Sequence, residues 1–168
     1  IHVLPPCFNR YEKIMKALLK ETFVFTPRIE SGRLDGHLFM DVTGSSRLFG
    51  PPVDVAFRLK KTFVRHFDLD PIWSVATNKL VAKVATRVVK PVGEYIVPPG
   101  DEQAFLAPLP LELIPGLGPN DLKKMHEFNL FRVSQAKSLT LEQLEIPFDC
   151  RAEQIYDRIR GIDPAPVR

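Results

Sequence analysis

The chain has 168 residues, 45% of them hydrophobic, and a formal net charge of +3. That length supports one ordinary domain or two small ones with a real core, so folding requires no disulfide or metal staple. A charge so near balance does not by itself establish a polyanion partner, and leaves the distribution of charge to decide.

The two cysteines, Cys7 and Cys150, are far apart and match no metal or redox spacing; free thiols in a reducing cytoplasm are expected. No apolar run approaches the roughly 20 residues that cross a bilayer. The expectation is a soluble, cytoplasmic protein with no membrane contact. The opening "IHVLPP" has no methionine and reads as mid-strand, which suggests a segment of a longer chain.

In chain order, "NRYEKIMKALLKE" reads as an amphipathic helix with Asn9 as N-cap and Tyr11, Ile14, Met15, Leu18 and Leu19 as its apolar stripe. "FVFTPRIES" and "HLFMDVTG" read as two strands of a hairpin around Asp35 and Gly36. After "GPP", Val53, Ala56, Phe57, Phe63, Val64 and Phe67 recur at helical spacing. A strand "IWSVAT", a helix "NKLVAKVATRVVK" and a strand "GEYIVPPG" follow. The alternation predicts an α+β layer, a mainly antiparallel sheet with helices on one face. From about Asp101 the texture changes to short helices around "PLPLELIPGLGPND", with no convincing strand, and a boundary is expected near Pro99 to Glu102. The predicted domains are residues 1–100 and 101–168.

Two constellations point to phosphate. No Asp or Glu occurs from Pro71 to Gly93, while Lys79, Lys83 and Arg87 fall at i, i+4 and i+8 on one helix face. Thr77 and Asn78 sit at the start of that helix, where unpaired amides and the dipole favour an anion. A solvated basic face is the alternative. Further on, Gly116, Leu117 and Gly118 form a tight turn between a helix ending near Ile114 and a new one from Asn120. This helix-hairpin-helix pattern leaves backbone amides for a phosphate oxygen, with Lys123 and Lys124 beside them. An αα-hairpin used only for packing is the alternative there.

Two-metal chemistry requires clustered carboxylates. Asp35 and Asp41 are the local candidates, and turn chemistry explains both. His2, His37, His66 and His126 are scattered, and there is no nucleophile motif, P-loop or dinucleotide fingerprint. No catalytic or metal-binding residue is assigned, and no cofactor is expected in this chain.

Taken together, "LFMDVTGSSRLFG", "SVATNKLVAKVATRVVKPVG", "FLAPLPLELIPGLG" and "RIRGIDPAPV" resemble the Y-family translesion DNA polymerases, the group that includes DNA polymerase IV. The resemblance implies a partial palm over residues 1–100 and a small all-α thumb with the helix-hairpin-helix over 101–168. It implies that Lys83 and its helix face an incoming triphosphate and that the hairpin holds the backbone of a primer-template without reading its sequence. Active members carry an adjacent Asp-Glu pair before the strand that here reads "LFMDVTG"; with one residue inserted Asp35 matches the first, but Gly36 replaces the glutamate. That departure is similar to the ImuB-type branch, accessory proteins of a mutagenic repair assembly. The chain alone is expected not to polymerise DNA. The alternative is a portion of an active, Mg-dependent nucleotidyltransferase whose other acids lie outside it. A sliding clamp and other repair polymerase subunits would be engaged through missing regions.

Overall fold

The computed structural model describes residues 7–32 and 36–168. They fall into two compact units, one running through Pro71 and joined by Val167 and Arg168, the other spanning Ile72–Pro166.

The first unit contains α1 (Phe8–Phe23), β1 (Ile29–Ser31), β2 (Leu38–Met40), α2 (Ser46–Phe49) and α3 (Pro52–Phe67). Helix α1 begins ahead of the expected cap. The Cys7 carbonyl accepts from the amides of Arg10 and Tyr11, so Asn9 lies inside the first turn and caps nothing. Ile14, Met15, Leu18 and Leu19 are half-buried as expected, whereas Tyr11 is exposed. The predicted hairpin forms: β1 and β2 are antiparallel, with Ile29 opposite Met40 and Ser31 opposite Leu38. Asp35, expected in its turn, lies outside the described residues, while Gly36 has the positive φ of 70° that such a turn favours.

Helix α3 starts on Pro52, whose missing amide costs nothing at that position. Its buried row is Val55, Leu59 and Phe63. Phe57 and Val64, counted in the expected stripe, are 46% and 44% exposed. The packing face is rotated because the row at i, i+4 and i+8 takes the contact with the rest of the unit.

The second unit opens with β3 (Trp73–Val75), α4 (Lys79–Val88) and β4 (Glu94–Ile96). Here the expected, mainly antiparallel sheet is corrected: β3 and β4 pair in parallel, with Trp73 opposite Glu94 and Val75 opposite Ile96. The reason is the connection. A helix between two adjacent strands returns the chain to the same end of the pair, which a short hairpin turn cannot do. Beyond it come α5 (Glu102–Leu106), a 3-10 turn (Leu111–Leu113), α6 (Pro119–Glu127), α7 (Val133–Lys137), α8 (Leu141–Phe148) and α9 (Ala152–Ile159). No strand follows β4 among the described residues, as the sequence suggested.

Leu80, Val81, Val84 and Ala85 of α4 share one core with Leu106, Leu111, Met125, Leu144, Ile155 and Ile159. The composition break at Asp101 therefore lies inside the second compact unit, because the apolar row of α4 is completed by helices from beyond residue 100.

Both ends of α4 are tied into this core. The Asn78 Oδ1 accepts from the Val81 amide at 3.0 Å and its Nδ2 donates to the Gly161 carbonyl at 2.8 Å. At the far end Arg87 Nη1 donates to the Leu113 carbonyl at 2.8 Å. Replacing Asn78 with alanine removes a cap and a long-range tie, and is expected to cost about 1–2 kcal/mol. Asn78→Asp keeps the cap acceptor but cannot donate to Gly161. Its urea midpoint is expected to fall between those of the wild type and the alanine variant.

Candidate nucleic-acid interface

Helix α4 places Lys79, Lys83 and Arg87 on successive turns of one side, as their spacing predicts. Lys79 opens the helix and Lys83 lies one turn on. Arg87 is already engaged through the Leu113 carbonyl, so it works as a tie to the turn preceding the hairpin. The run without acids is not acid-free in space. Glu102 reaches back to the start of the helix, where its Oε1 accepts from Thr77 Oγ1 at 2.7 Å and its Oε2 from the Gly100 amide at 2.9 Å. The Thr77 hydroxyl bond, with the backbone bonds, holds the Glu102 carboxyl below its ordinary range. The Thr77 hydroxyl is thus occupied by a carboxylate that the sequence run could not reveal.

The hairpin differs in its first arm from the sequence expectation. The helix expected to end at Ile114 is the 3-10 turn Leu111–Leu113, kept short by the flanking Pro108, Pro110 and Pro115. Gly116 has φ +91°, and a Cβ there would meet Arg158 Nε at 3.3 Å, so this position suits glycine in both backbone and space. Gly118 is the N-cap of α6, but its amide is not bare: it donates to Asp121 Oδ2 at 2.8 Å. Since Pro119 has no N–H, the amides of Asn120 and Asp121 complete the first turn.

Asp121 and Arg151 organise the turn, and neither was singled out from the sequence. Arg151 donates to Asp121 through Nε at 3.1 Å and Nη2 at 2.5 Å, and Nη2 also reaches the Gly116 carbonyl at 3.0 Å. Burial opposes the charge on Asp121, but the bonds from Arg151 and the Gly118 amide outweigh it and hold the carboxyl low. The available signal was the aspartate three residues beyond Gly118, the usual position for a carboxylate reaching back to the cap.

The two lysines after the turn part company. Lys123 is exposed and lines an open groove with Pro119, Leu122, His126 and Glu127. Lys124 donates to the Pro147 carbonyl at 2.5 Å and lies 5.7 Å from the centre of the Phe148 ring, so its charge is partly committed to the fold. Leu117, between the glycines, is packed against the core.

Asp41 caps a turn. Its Oδ1 accepts from the Thr43 amide at 2.9 Å and its Oδ2 sits 3.1 Å from Arg28 Nη1. Hydrogen bonds from Thr43 and, after them, Arg28 hold its carboxyl low. A two-cation centre does not fit the described residues: position 36 is glycine, and Asp41 is engaged by Arg28 and Thr43. No three His, Cys, Asp or Glu side chains converge among the described residues.

Residues 1–87 match the model of the impB/mucB/samB family, IMS. A DNA polymerase IV of Desulfatibacillum aliphaticivorans is 35% identical over 164 residues, covering 98% of this chain and 41% of that protein. Another, from Protochlamydia amoebophila, is 34% identical, with 96% and 46% covered. Among solved structures, DinB from Sulfolobus solfataricus superposes with a TM-score of 0.83 at 22% identity, covering 98% of this chain and 49% of that one. An insertion ternary complex of Dbh DNA polymerase gives 0.84 at 23%, with 98% and 48% covered. At those identities the structures speak for the mixed α/β fold. The chain spans less than half the length of these relatives. With a family model matched over more than half of its residues, and relatives named DNA polymerase IV aligned along nearly all of it, the chain belongs to the impB/mucB/samB family, that of the Y-family DNA polymerases.

Proposed function

We propose that this chain is the DNA-holding palm and thumb portion of a Y-family polymerase-like protein of translesion synthesis and DNA repair, of the ImuB-type branch, and that it transfers no nucleotide by itself. Residues 1–100 serve as the partial palm and 101–168 as the thumb, with Gly116 to Gly118 as the turn of a helix-hairpin-helix. Lys79 and Lys83 face the triphosphate of an incoming nucleotide, with Arg87 at the end of the same row. The turn at Gly116, Leu117 and Gly118, with Lys123 and Lys124, holds the backbone of a primer-template without sequence preference. The setting is cytoplasmic, and a sliding clamp and further repair subunits are engaged by other parts of the protein.

The observation that carries this reading is the contrast within the chain. The lysine row of α4 and the glycine turn are held by one core, whereas beside Asp35 the second acid position holds a glycine, and Asp41 is a turn cap. A phosphate grip requires only amides and cations in fixed places, but phosphoryl transfer requires paired carboxylates.

Binding of a fluorescent primer-template, followed by anisotropy across a salt series, tests the grip. Each phosphate contact contributes about −0.9 to the slope of log K against log salt. Lys123→Ala is expected to weaken binding and reduce that slope by about 1. Lys124→Ala is expected to do less, since Pro147 and Phe148 already engage that ammonium. Binding that is flat with salt and untouched by Lys123→Ala overturns the proposal. The match to DNA polymerase IV relatives along nearly all of this chain supports a second reading, an active Mg-dependent nucleotidyltransferase completed by acids elsewhere. Mg-dependent insertion by the full-length protein, lost in Asp35→Ala, would select it.

A further inference from the structure

We propose that α1 and α3 form a second nucleic-acid contact, a basic and aromatic face that takes single-stranded nucleic acid and is separate from the hairpin. Helix α1 exposes Lys13, Lys16 and Lys20 on the side away from Ile14, Leu18 and Thr22. Helix α3 exposes Arg58, Lys61 and Arg65 on the side away from Val55, Leu59 and Phe63. The two helices pack together. Their C-terminal ends meet where the Glu21 carboxylate comes within 3.6 Å of His66 Nδ1, so the two helices run in the same direction. Each row rises about 10 Å along its helix.

Cations outnumber acids on these two helices. Three acids of this unit are engaged elsewhere, Asp70 with Lys60 at 3.1 Å, Asp41 with Arg28 and Glu21 with His66, while Glu12 and Asp54 are exposed on these helices and Asp68 at the end of α3. None of the six cations pairs with a carboxylate among the described residues. Like charges one turn apart destabilise a helix, and an anion laid along such a row would relieve that repulsion. Charge alone would fit any polyanion. The aromatic residue narrows the choice, since Phe57 is 46% exposed in the midst of these cations and has Lys61 Nζ 4.5 Å from its ring centre. Val64, 44% exposed, extends the apolar strip one turn further. Cations to track a backbone and a half-exposed ring on which a base can stack are what sequence-independent single-strand binding uses.

The test is anisotropy of the chain with a fluorescein-labelled oligothymidylate of about 12 nucleotides, a length within the site sizes such surfaces occupy. Arg58→Gln with Lys61→Gln and Arg65→Gln is expected to weaken binding at least tenfold and to flatten its salt dependence. Phe57→Ala is expected to weaken it by about tenfold with little change in salt slope. Lys123→Ala is expected to leave the oligothymidylate unaffected while weakening primer-template, so failure of one site is distinguishable from failure of the other. Circular dichroism and the melting temperature establish that each variant is folded, and the glutamine triple keeps the side chains polar to that end. Wild-type affinity in the triple variant overturns the proposal. So does an unaffected Phe57→Ala variant combined with tighter binding of a poly-glutamate peptide, which would make the face a dock for an acidic protein segment.

Discussion

Gly161→Ala is expected to lower the stability of the second unit by about 2–5 kcal/mol, read as a shift in the urea midpoint. Two costs add. Gly161 has φ +74°, a conformation that costs a residue with a Cβ about 1–2 kcal/mol. The new methyl would also stand 2.8 Å from Leu106 Cδ1 and 3.5 Å from Val81 Cγ2, two fully buried side chains, and overpacking of a filled core costs about 1–3 kcal/mol. The position cannot easily drift to relieve the clash, because the Gly161 carbonyl is held by Asn78. Gly100→Ala separates the two terms within the same unit: its φ is +95°, yet nothing lies within 4 Å of the added Cβ. If both variants lose the same stability, the steric part of this account is wrong.

This glycine also illustrates what the sequence could express. "RIRGIDPAPV" is legible as a motif, and a glycine after a helix is a sound stop signal, but nothing local says that Leu106 and Val81 close over it. The same division runs through the fold. The apolar period located α1, α3 and α4 because burial repeats along a helix, yet in α3 it could not choose between the rows containing Phe57 and Phe63. That choice belongs to partners distant in sequence. The direction of β4 was likewise hidden, since short strands carry the same residues whether parallel or antiparallel, and only the connecting helix fixes their sense.

At the hairpin the glycines and lysines were visible, whereas Asp121 with Arg151, 30 positions apart, was not. The unequal engagement of Lys123 and Lys124 depends on where α8 ends, and the arrival of Glu102 beside Thr77 depends on the whole second unit closing. Charge along a sequence therefore found the basic helix but overstated its isolation.

The pairing of Asp121 with Arg151 gives the other large expected effect. Asp121 has a side chain 10% exposed, whereas that of Arg151 is 45% exposed. Removing the two partners is therefore not equivalent. Asp121→Ala leaves the Gly118 amide without its acceptor but lets the guanidinium turn to water. The expected loss is about 2 kcal/mol, the scale of hydrogen bonds to a charged group. Arg151→Ala leaves the more buried charge without its counterion, and is expected to cost more, towards the 3 kcal/mol at the lower end for broken buried pairs. The pH dependence follows from the direction of the shift. Because the carboxyl is held below its ordinary value in the folded chain, its contribution is complete above the unfolded value of about 3.9 and is lost as pH falls through the folded value. Melting curves of wild type and Asp121→Ala should differ fully at pH 7 and converge below about pH 4. For Arg151→Ala the carboxyl loses the partner that held it low, so part of its deficit should disappear already as Asp121 protonates at higher pH. A deficit in Asp121→Ala that is the same at pH 7 and at pH 3 would mean that the carboxylate charge does not hold the turn.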